Sequence, residues 1–364
     1  VFGRHQRPEA VGVIAWTAPA VEIDRLVRAS DFGPYPNPFG VCRLVTAAGT
    51  AIVTSAEVDP APGVPGQVDL ADAGSLIIGT GAGRLRITGL GRPTGEPLPI
   101  SVFAAEASVI PGSRLTLPHV LVPDVAARRH AVRAERDWLD TLASLDRLAL
   151  PFASDTGQAA APDDRTHVRA AIPANLAGLD HDAIVASVAA FLIRIGGRPS
   201  AVLPLAVAPP PQAGLPLLAD RIPVAIDIAQ PWSAVRDAVT AARRASASGT
   251  FFTDVCLRYP DRPGLRGFAA WRSHVVLDPD GHTTTRPDAS LVVRPDTANG
   301  HMEWDASSGL YTTDALTRLH RLWMSFASRL VATDAPVAGV SLLDDETRTT
   351  LLERYARDLN IRLP

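Results

Sequence analysis

With 364 residues, 46% of them hydrophobic and 20% charged, the chain is long enough for two or three domains, each with its own core. A formal charge of −3 weighs against a nucleic-acid surface, and every one of the 35 basic residues is arginine. The absence of lysine excludes P-loop, Schiff-base and lysine general-base chemistry from this chain.

The opening stretch "VFGRHQRPEAVGVIAW" reads as a turn leading into a strand, and no charged-then-apolar leader precedes it. No apolar run reaches the roughly 20 residues of a membrane span, so the expected location is cytoplasmic. In "TAPAVEIDRLVRAS", Val21, Ile23, Leu26 and Val27 recur at helical spacing. Glu22 and Asp24 lie early and Arg25 and Arg28 late, which suits the helix dipole. The prolines of "DFGPYPNPFG" end that helix. "VCRLVTAAGTAIVTSAEV" then predicts a hairpin turning at Gly49, and "SLIIGTGAGRLRITGL" a second one turning on Gly79, Gly81 and Gly83. The cluster "GTGAG" precedes a strand rather than a helix, so a hairpin turn is preferred to a phosphate loop. A helix followed by closely spaced short strands is a small β-barrel pattern.

"FGRHQRPEAVGVIAW", "PAVEIDRLVRA" and "PYPNPFG", followed by "PGQVDLADAGSLIIGTGAGRLRITGL", resemble the junction and C-terminal domain of the methionyl-tRNA formyltransferase family over about 100 residues. The resemblance implies an OB-like barrel over residues 1–108. It also implies that the family's catalytic domain, which uses 10-formyltetrahydrofolate with an Asn, a His and an Asp, lies upstream of this chain.

Beyond a proline-punctuated connector (109–135), "ERDWLDTLASLDRLALP" predicts a helix with Trp138, Leu139, Leu142 and Leu145 as its apolar stripe, ended by Pro151. "FASDTGQAAAPDDRT" has loop composition. From His167 strands and helices alternate: "HVRAAIP", then the apolar helix "HDAIVASVAAFLIRIGG" closed by Gly196 and Gly197. "AVLPLAVAP" and "RIPVAIDI" follow as strands, and then the helix "PWSAVRDAVTAARRASASG" opened by Pro231. Four strand-like runs come next, "FFTDVCLRYP", "GFAAWRSHVVLDP", "ASLVVRPD" and "GHMEWDASSGLY". The last long helix carries Leu316, Leu319, Trp323, Phe326 and Leu330 on one face. The expected class is α+β multidomain, with a layered α/β second part.

"RIPVAIDI", "ASSGLYTTDALTRLHRLWMSFASRLVA" and "PVAGVSLLDDETRTTLLERY" resemble the C-terminal lobe of nonribosomal peptide synthetase condensation domains, a CoA-dependent acyltransferase-like half-domain, with the last part resembling the linker into an adenylation domain. On that basis the lobe spans 136–345 and the linker 346–364. The family's HHxxxDG motif has no counterpart: no two histidines are adjacent, and "RRHAVRA" offers only Arg129 and His130 without a following Asp-Gly. Asp220 and Arg221 stand where that family has Asn-Thr, and the "HQxxPF" segment has no match between "ARRASASG" and "TFFTDV". The lobe therefore reads as degenerate.

No residue presents itself as catalytic, cofactor-binding or metal-binding. His5, His119, His130, His167, His181, His274, His282, His301 and His320 are scattered, with no His-x-x-x-His spacing. Cys42 and Cys256 read as buried inert thiols, and the pairs Arg128/Arg129 and Arg243/Arg244 as solvated faces. "DDETR" at 344–348 reads as a helix start. No G-x-S-x-G elbow occurs. The leading expectation is a noncatalytic platform in a formylating peptide synthetase, for which the resemblance implies a product such as a siderophore or an N-formylated peptide. Its partners would be an upstream formyltransferase domain and downstream adenylation and carrier domains. 10-Formyltetrahydrofolate and phosphopantetheine would serve those neighbours, with no cofactor in this chain. Acyl transfer completed by a partner lobe, or RNA binding by the barrel, are the alternatives.

Overall fold

The computed structural model describes residues 12–46, 49–115, 125–145, 148–153, 164–207, 217–247, 249–272, 274–280, 289–343 and 345–358. His5, His119, His282 and the 116–124 part of the connector lie outside them, as do the side chains of Arg128, Arg129 and His130. Two compact units form. The first comprises 1–144, 209–220 and 248–269, and the second 145–208, 221–247 and 270–364. The division follows space rather than chain order, whereas the partition expected at 108, 135 and 345 is sequential.

In the first unit, α1 (Ala20–Ala29) buries Ala20, Ile23 and Val27, three positions on one helical face. Val21, expected in the apolar stripe, is 43% exposed because the buried face is centred one position away. Asp24 and Arg28 pair on the outer face at 2.8 Å. Five antiparallel strands follow: β1 (Arg43–Thr46), β2 (Gly49–Asp59), β3 (Val68–Ala71), β4 (Leu76–Gly79) and β5 (Arg84–Gly91), in the order β1-β2-β5-β4-β3. Both expected hairpins are present, with Thr46 facing Gly49 and Gly79 facing Arg84. β2 carries bulges around Ser55 that increase its local twist. No ladder joins β1 to β3 among the described residues, so closure of the expected OB-like barrel is not seen among them. Leu44, Val53, Leu76, Ile78, Leu85 and Ile87 form its core with Ile14 and Ile23. α2 (Ile100–Glu106), which has no counterpart in the sequence reading, adds Ile100 and Phe103. α3 (Val125–Leu142) buries Trp138, Leu139 and Leu142 as expected; Leu145 lies beyond its end.

The glycine turn between β4 and β5 is docked on the start of α1. Gly81 N–H donates to the Ala18 carbonyl, and Ala20 N–H, a first-turn donor with no helical partner, donates to the Ala82 carbonyl at 3.0 Å. A helix N-terminus is thus adjacent in space to "GTGAG", yet a peptide oxygen takes one of its free donors. The turn reading holds, for a reason that local sequence order did not contain.

"FFTDVCLRYP" is not a strand. It forms the short helix α6 (Val255–Arg258) after Phe251 and Phe252, and "FAAWR" is the short helix α7 (Phe268–Arg272), preceded by a 3-10 turn over Pro263–Gly267. Both runs carry buried apolar residues, Phe251, Phe252 and Val255 in the first and Phe268 and Trp271 in the second, so composition alone mimics a strand.

The second unit is a mixed six-stranded sheet with helices. Its strands are β6 (Arg165–Ala171), β7 (Ser200–Ala206), β8 (Arg221–Asp227), β9 (Val275–Leu277), β10 (Leu291–Asp296) and β11 (His301–Ser307), in the order β6-β11-β10-β9-β7-β8. β9 runs parallel to β10 and β7, and the other pairs are antiparallel. α4 (His181–Ile195) is capped by Asp180, whose carboxylate accepts from Ala183 N–H at 2.7 Å, and ends at Gly196 and Gly197. Its residues from Ala183 to Ile193 are buried all round, which explains why it is apolar on every face. α5 (Trp232–Ala247) packs on α4 and β8. α8 (Thr313–Leu330) buries the expected stripe of Leu316, Leu319, Trp323, Phe326 and Leu330 against α4 and β6. α9 (Asp345–Asp358) exposes each described side chain, among them Leu352 at 44% and Tyr355 at 63%. No described helix is long and apolar enough to cross a membrane.

Candidate functional site

A cleft of about 510 Å³ in the second unit is lined by His167, His181, Arg294, Asp280, Glu303 and Asp305, among others. The alternation of β6, β10 and β11 builds it: Trp304 and Val293 face the helices, so Glu303, Asp305 and Arg294 face the other way. His167 stands opposite Asp305 across the β6–β11 ladder. His181 enters from the first turn of α4, with Nδ1 3.2 Å from Thr297 Oγ1.

The carboxylates around the cleft are engaged by arginines. Arg294 Nε donates to Asp278 at 3.0 Å, Arg165 to Asp305 at 2.7 Å, Arg169 to Asp296 at 3.2 Å, and Arg243 to Asp280 at 2.8 Å. At Asp296 the Asn299 hydrogen bonds, and after them the charge of Arg169, hold the carboxyl below its usual range. Partial burial, and next the positive field of Arg243, push the His181 pKa down, so its imidazole is held neutral. The cleft combines the His181 imidazole, beside the Thr297 hydroxyl, with arginine–carboxylate pairs.

The remaining sequence candidates are dispersed. His320 is buried in the core of the second unit, and His274 bonds the Leu148 carbonyl. Arg243 pairs with Asp182 and Asp280, so it is not simply a solvated charge. Burial pushes the Cys42 and Cys256 thiols up to about 12, which leaves both protonated and unreactive at neutral pH. Cys256 donates to the Pro93 carbonyl at 3.4 Å. Among the described residues no group of three or more His, Cys, Asp or Glu could hold a metal ion.

Sequence reasoning missed a deeply buried polar group. Arg43, Glu135, Asp254 and Arg258 form a continuous ion network inside the first unit, with all four side chains at most 3% exposed. Its one sequence signal was the i,i+4 pair Asp254/Arg258 inside an otherwise apolar run.

Comparison with known proteins locates the first part. Residues 8–108 match the family described as "Formyl transferase, C-terminal domain". The methionyl-tRNA formyltransferase of Pseudomonas savastanoi pv. phaseolicola is 40% identical over 83 residues, 23% of this chain and 24% of that protein. That of Paraburkholderia phytofirmans is 34% identical over 120 residues, 32% of this chain and 33% of that protein. The chain thus spans a quarter to a third of the length of the curated relatives it matches. Among solved structures, it is similar to a starter condensation domain of rhizomide synthetase RzmA, at 20% identity and a TM-score of 0.41 over 59% of this chain and 55% of that one. It is also similar to the complex of the X-domain and OxyB from teicoplanin biosynthesis, at 16% identity and a TM-score of 0.41 over 72% and 70%.

Proposed function

We propose that this chain is the segment of a formylating peptide synthetase that joins a formyl-transfer domain to an adenylation domain, and that it acts as a noncatalytic platform. The observation that carries the reading is a formyltransferase C-terminal domain followed, in one chain, by a layered α/β unit of condensation-lobe sequence character. In this reading the first domain has an OB-like barrel ancestry. 10-Formyltetrahydrofolate and phosphopantetheine serve neighbouring domains, and the assembly works in the cytoplasm on a siderophore-type or other N-formylated peptide. The arginine-paired carboxylates of the cleft support a structural role for the lobe. α9 supplies the tether, because Leu351, Leu352 and Tyr355 expose apolar surface on a helix of otherwise polar sequence.

The test is made in the intact synthetase, with adenylation and product yield measured together. Replacing Leu351 and Leu352 with Asp puts charge into the apolar contact; product should fall by about tenfold or more, a loss that corresponds to roughly 1.4 kcal/mol. His167→Ala, on an exposed strand position, should leave yield within about twofold, as is usual for surface changes. If His167→Ala abolishes product while adenylation survives, the lobe is an acyl-transfer enzyme completed by a partner lobe. A salt-dependent shift of RNA would instead identify a nucleic-acid surface.

A further inference from the structure

The first unit contains two stretches that leave the second unit's part of the chain and return to it, 209–220 and 248–269. Their described parts pair with each other: Ala219 N–H donates to the Phe251 carbonyl at 2.7 Å and Thr253 N–H to the Leu217 carbonyl at 3.0 Å. Leu217, Leu218 and Phe252 then close an apolar cluster with Val13 and Val45 beside β1, and with Ala131 of α3. β1 is an end strand of its sheet, and at Arg43 its outer edge is taken by the backbone of Gly12 and Ile14, which flank Val13 of this cluster.

Beside the cluster lies the ion network. Arg258 is fully buried, with Nε donating to Asp254 at 2.9 Å and both Nη atoms gripping Glu135 of α3, Nη1 at 2.8 Å. The second Asp254 oxygen accepts from Arg43 of β1, whose guanidinium also lies over the Phe252 ring at 5.3 Å. Tyr259 donates its hydroxyl to Glu135 at 3.1 Å, and Asn37 N–H donates to the Arg258 carbonyl at 2.6 Å. Two guanidinium groups therefore meet two carboxylates away from water, joining three separated parts of the chain. Losing one charge strands its partners in a low-dielectric site, so the network is held whole or opened whole.

We propose that residues 217–219 and 249–259 are a strap locked by Arg43, Asp254, Arg258 and Glu135, and that the formyltransferase-type domain is completed by this strap rather than folded on its own. The strap opens as one cooperative unit together with the 37–45 stretch and α3. Its opening is separate from unfolding of the six-stranded sheet. The inference does not rest on the platform reading and survives if that reading fails.

Native-state hydrogen exchange on the full chain tests it. Asp254→Asn removes the carboxylate charge that lies between Arg43 and Arg258. Exchange should accelerate by about a hundredfold or more, together, over 37–45, 131–139, 217–219 and 249–259, with β10 and β11 unchanged. The double variant Glu135→Leu/Arg258→Met removes one of each charge and keeps the volume apolar. It should restore protection to within about tenfold, because a well-packed apolar replacement is often neutral. Asp140→Ala, at an exposed pair with Arg262, should change nothing. The strap is overturned if Asp254→Asn accelerates only 249–259, or if both units lose protection equally. If Asp254→Asn does not fold, the double variant decides: poor protection at 37–45 alone, without the other three stretches, refutes the cooperative lock.

Discussion

Gly81→Ala should destabilise the first unit by about 3 kcal/mol, while Gly74→Ala, in the turn between β3 and β4, should cost less than about 1 kcal/mol. The contrast lies in what a methyl group would meet. A Cβ at Gly81 would fall well under 3.0 Å from the Thr17 carbonyl oxygen, a backbone atom held by the start of α1, whereas at Gly74 the nearest atom is a side-chain oxygen 3.8 Å away. Backbone cannot give way as a side-chain tip does, so Gly81→Ala must pull the turn off the helix and break the Gly81-to-Ala18 and Ala20-to-Ala82 hydrogen bonds. Gly83→Ala should fall between the two. Its φ of +82° disfavours any side chain by about 1–2 kcal/mol, but the added methyl would sit 3.1 Å from the Asp59 carbonyl. Urea unfolding of the three variants should rank them Gly81, Gly83, Gly74 from most to least damaging. A Gly81→Ala midpoint equal to that of the unsubstituted chain would show that the turn is not docked on α1.

That turn also shows how far the sequence could be read. Its hairpin character was visible in a glycine cluster between two apolar runs, because strand alternation and turn chemistry are local. What the turn rests on was not visible, since Thr17 and Ala18 lie far upstream, before α1 and four strands. The same limit governs the second unit. The stripe of α8 and the all-apolar α4 were readable because each reports its own burial through its own period. In the first unit, the strand-like reading of "FFTDVCLRYP" failed because its buried apolar residues mimic a strand in composition alone, and the Asp254–Arg258 pair inside it was the one trace of a helical turn. The arginine pairing around the cleft was equally hidden. Arg165, Arg169 and Arg243 find their carboxylates across strands or between helices, at separations that spacing rules do not reach. The absence of an HHxxxDG motif was plain in the sequence, while the buried ion network of the first unit was not.

Below about pH 6.5 the second unit should lose stability with a slope approaching 1.4 kcal/mol per pH unit from His320 alone. His320 is 4% exposed in the core, between the rings of Trp304 and Trp323. A carbonyl can only accept, so the 3.2 Å contact with Ala171 O requires a proton on Nε2. Nδ1 must then be the acceptor for the Trp304 indole N–H at 3.1 Å. Both ring nitrogens are satisfied by the neutral imidazole, and a second proton would have to displace the indole. Burial holds the His320 pKa below its ordinary value, with the Ala171 hydrogen bond opposing the shift only in part. The depressed value belongs to a base, so below the unfolded-state value near 6.5 the unfolded chain binds the proton that the folded chain refuses. Stability is therefore complete above that pH and declines as pH falls towards the folded-state value. His320→Gln offers an amide oxygen for Trp304 and an amide N–H for Ala171 but does not titrate. Its unfolding free energy should be lower at neutral pH, where its fit is poorer, and flatter in acid. His181, also held neutral by partial burial, contributes a like slope to both proteins and cancels in their difference. Urea midpoints measured from pH 8 to pH 5 give that difference directly. Parallel curves for the two proteins would mean that His320 takes up its proton as readily in the folded core as in the unfolded chain.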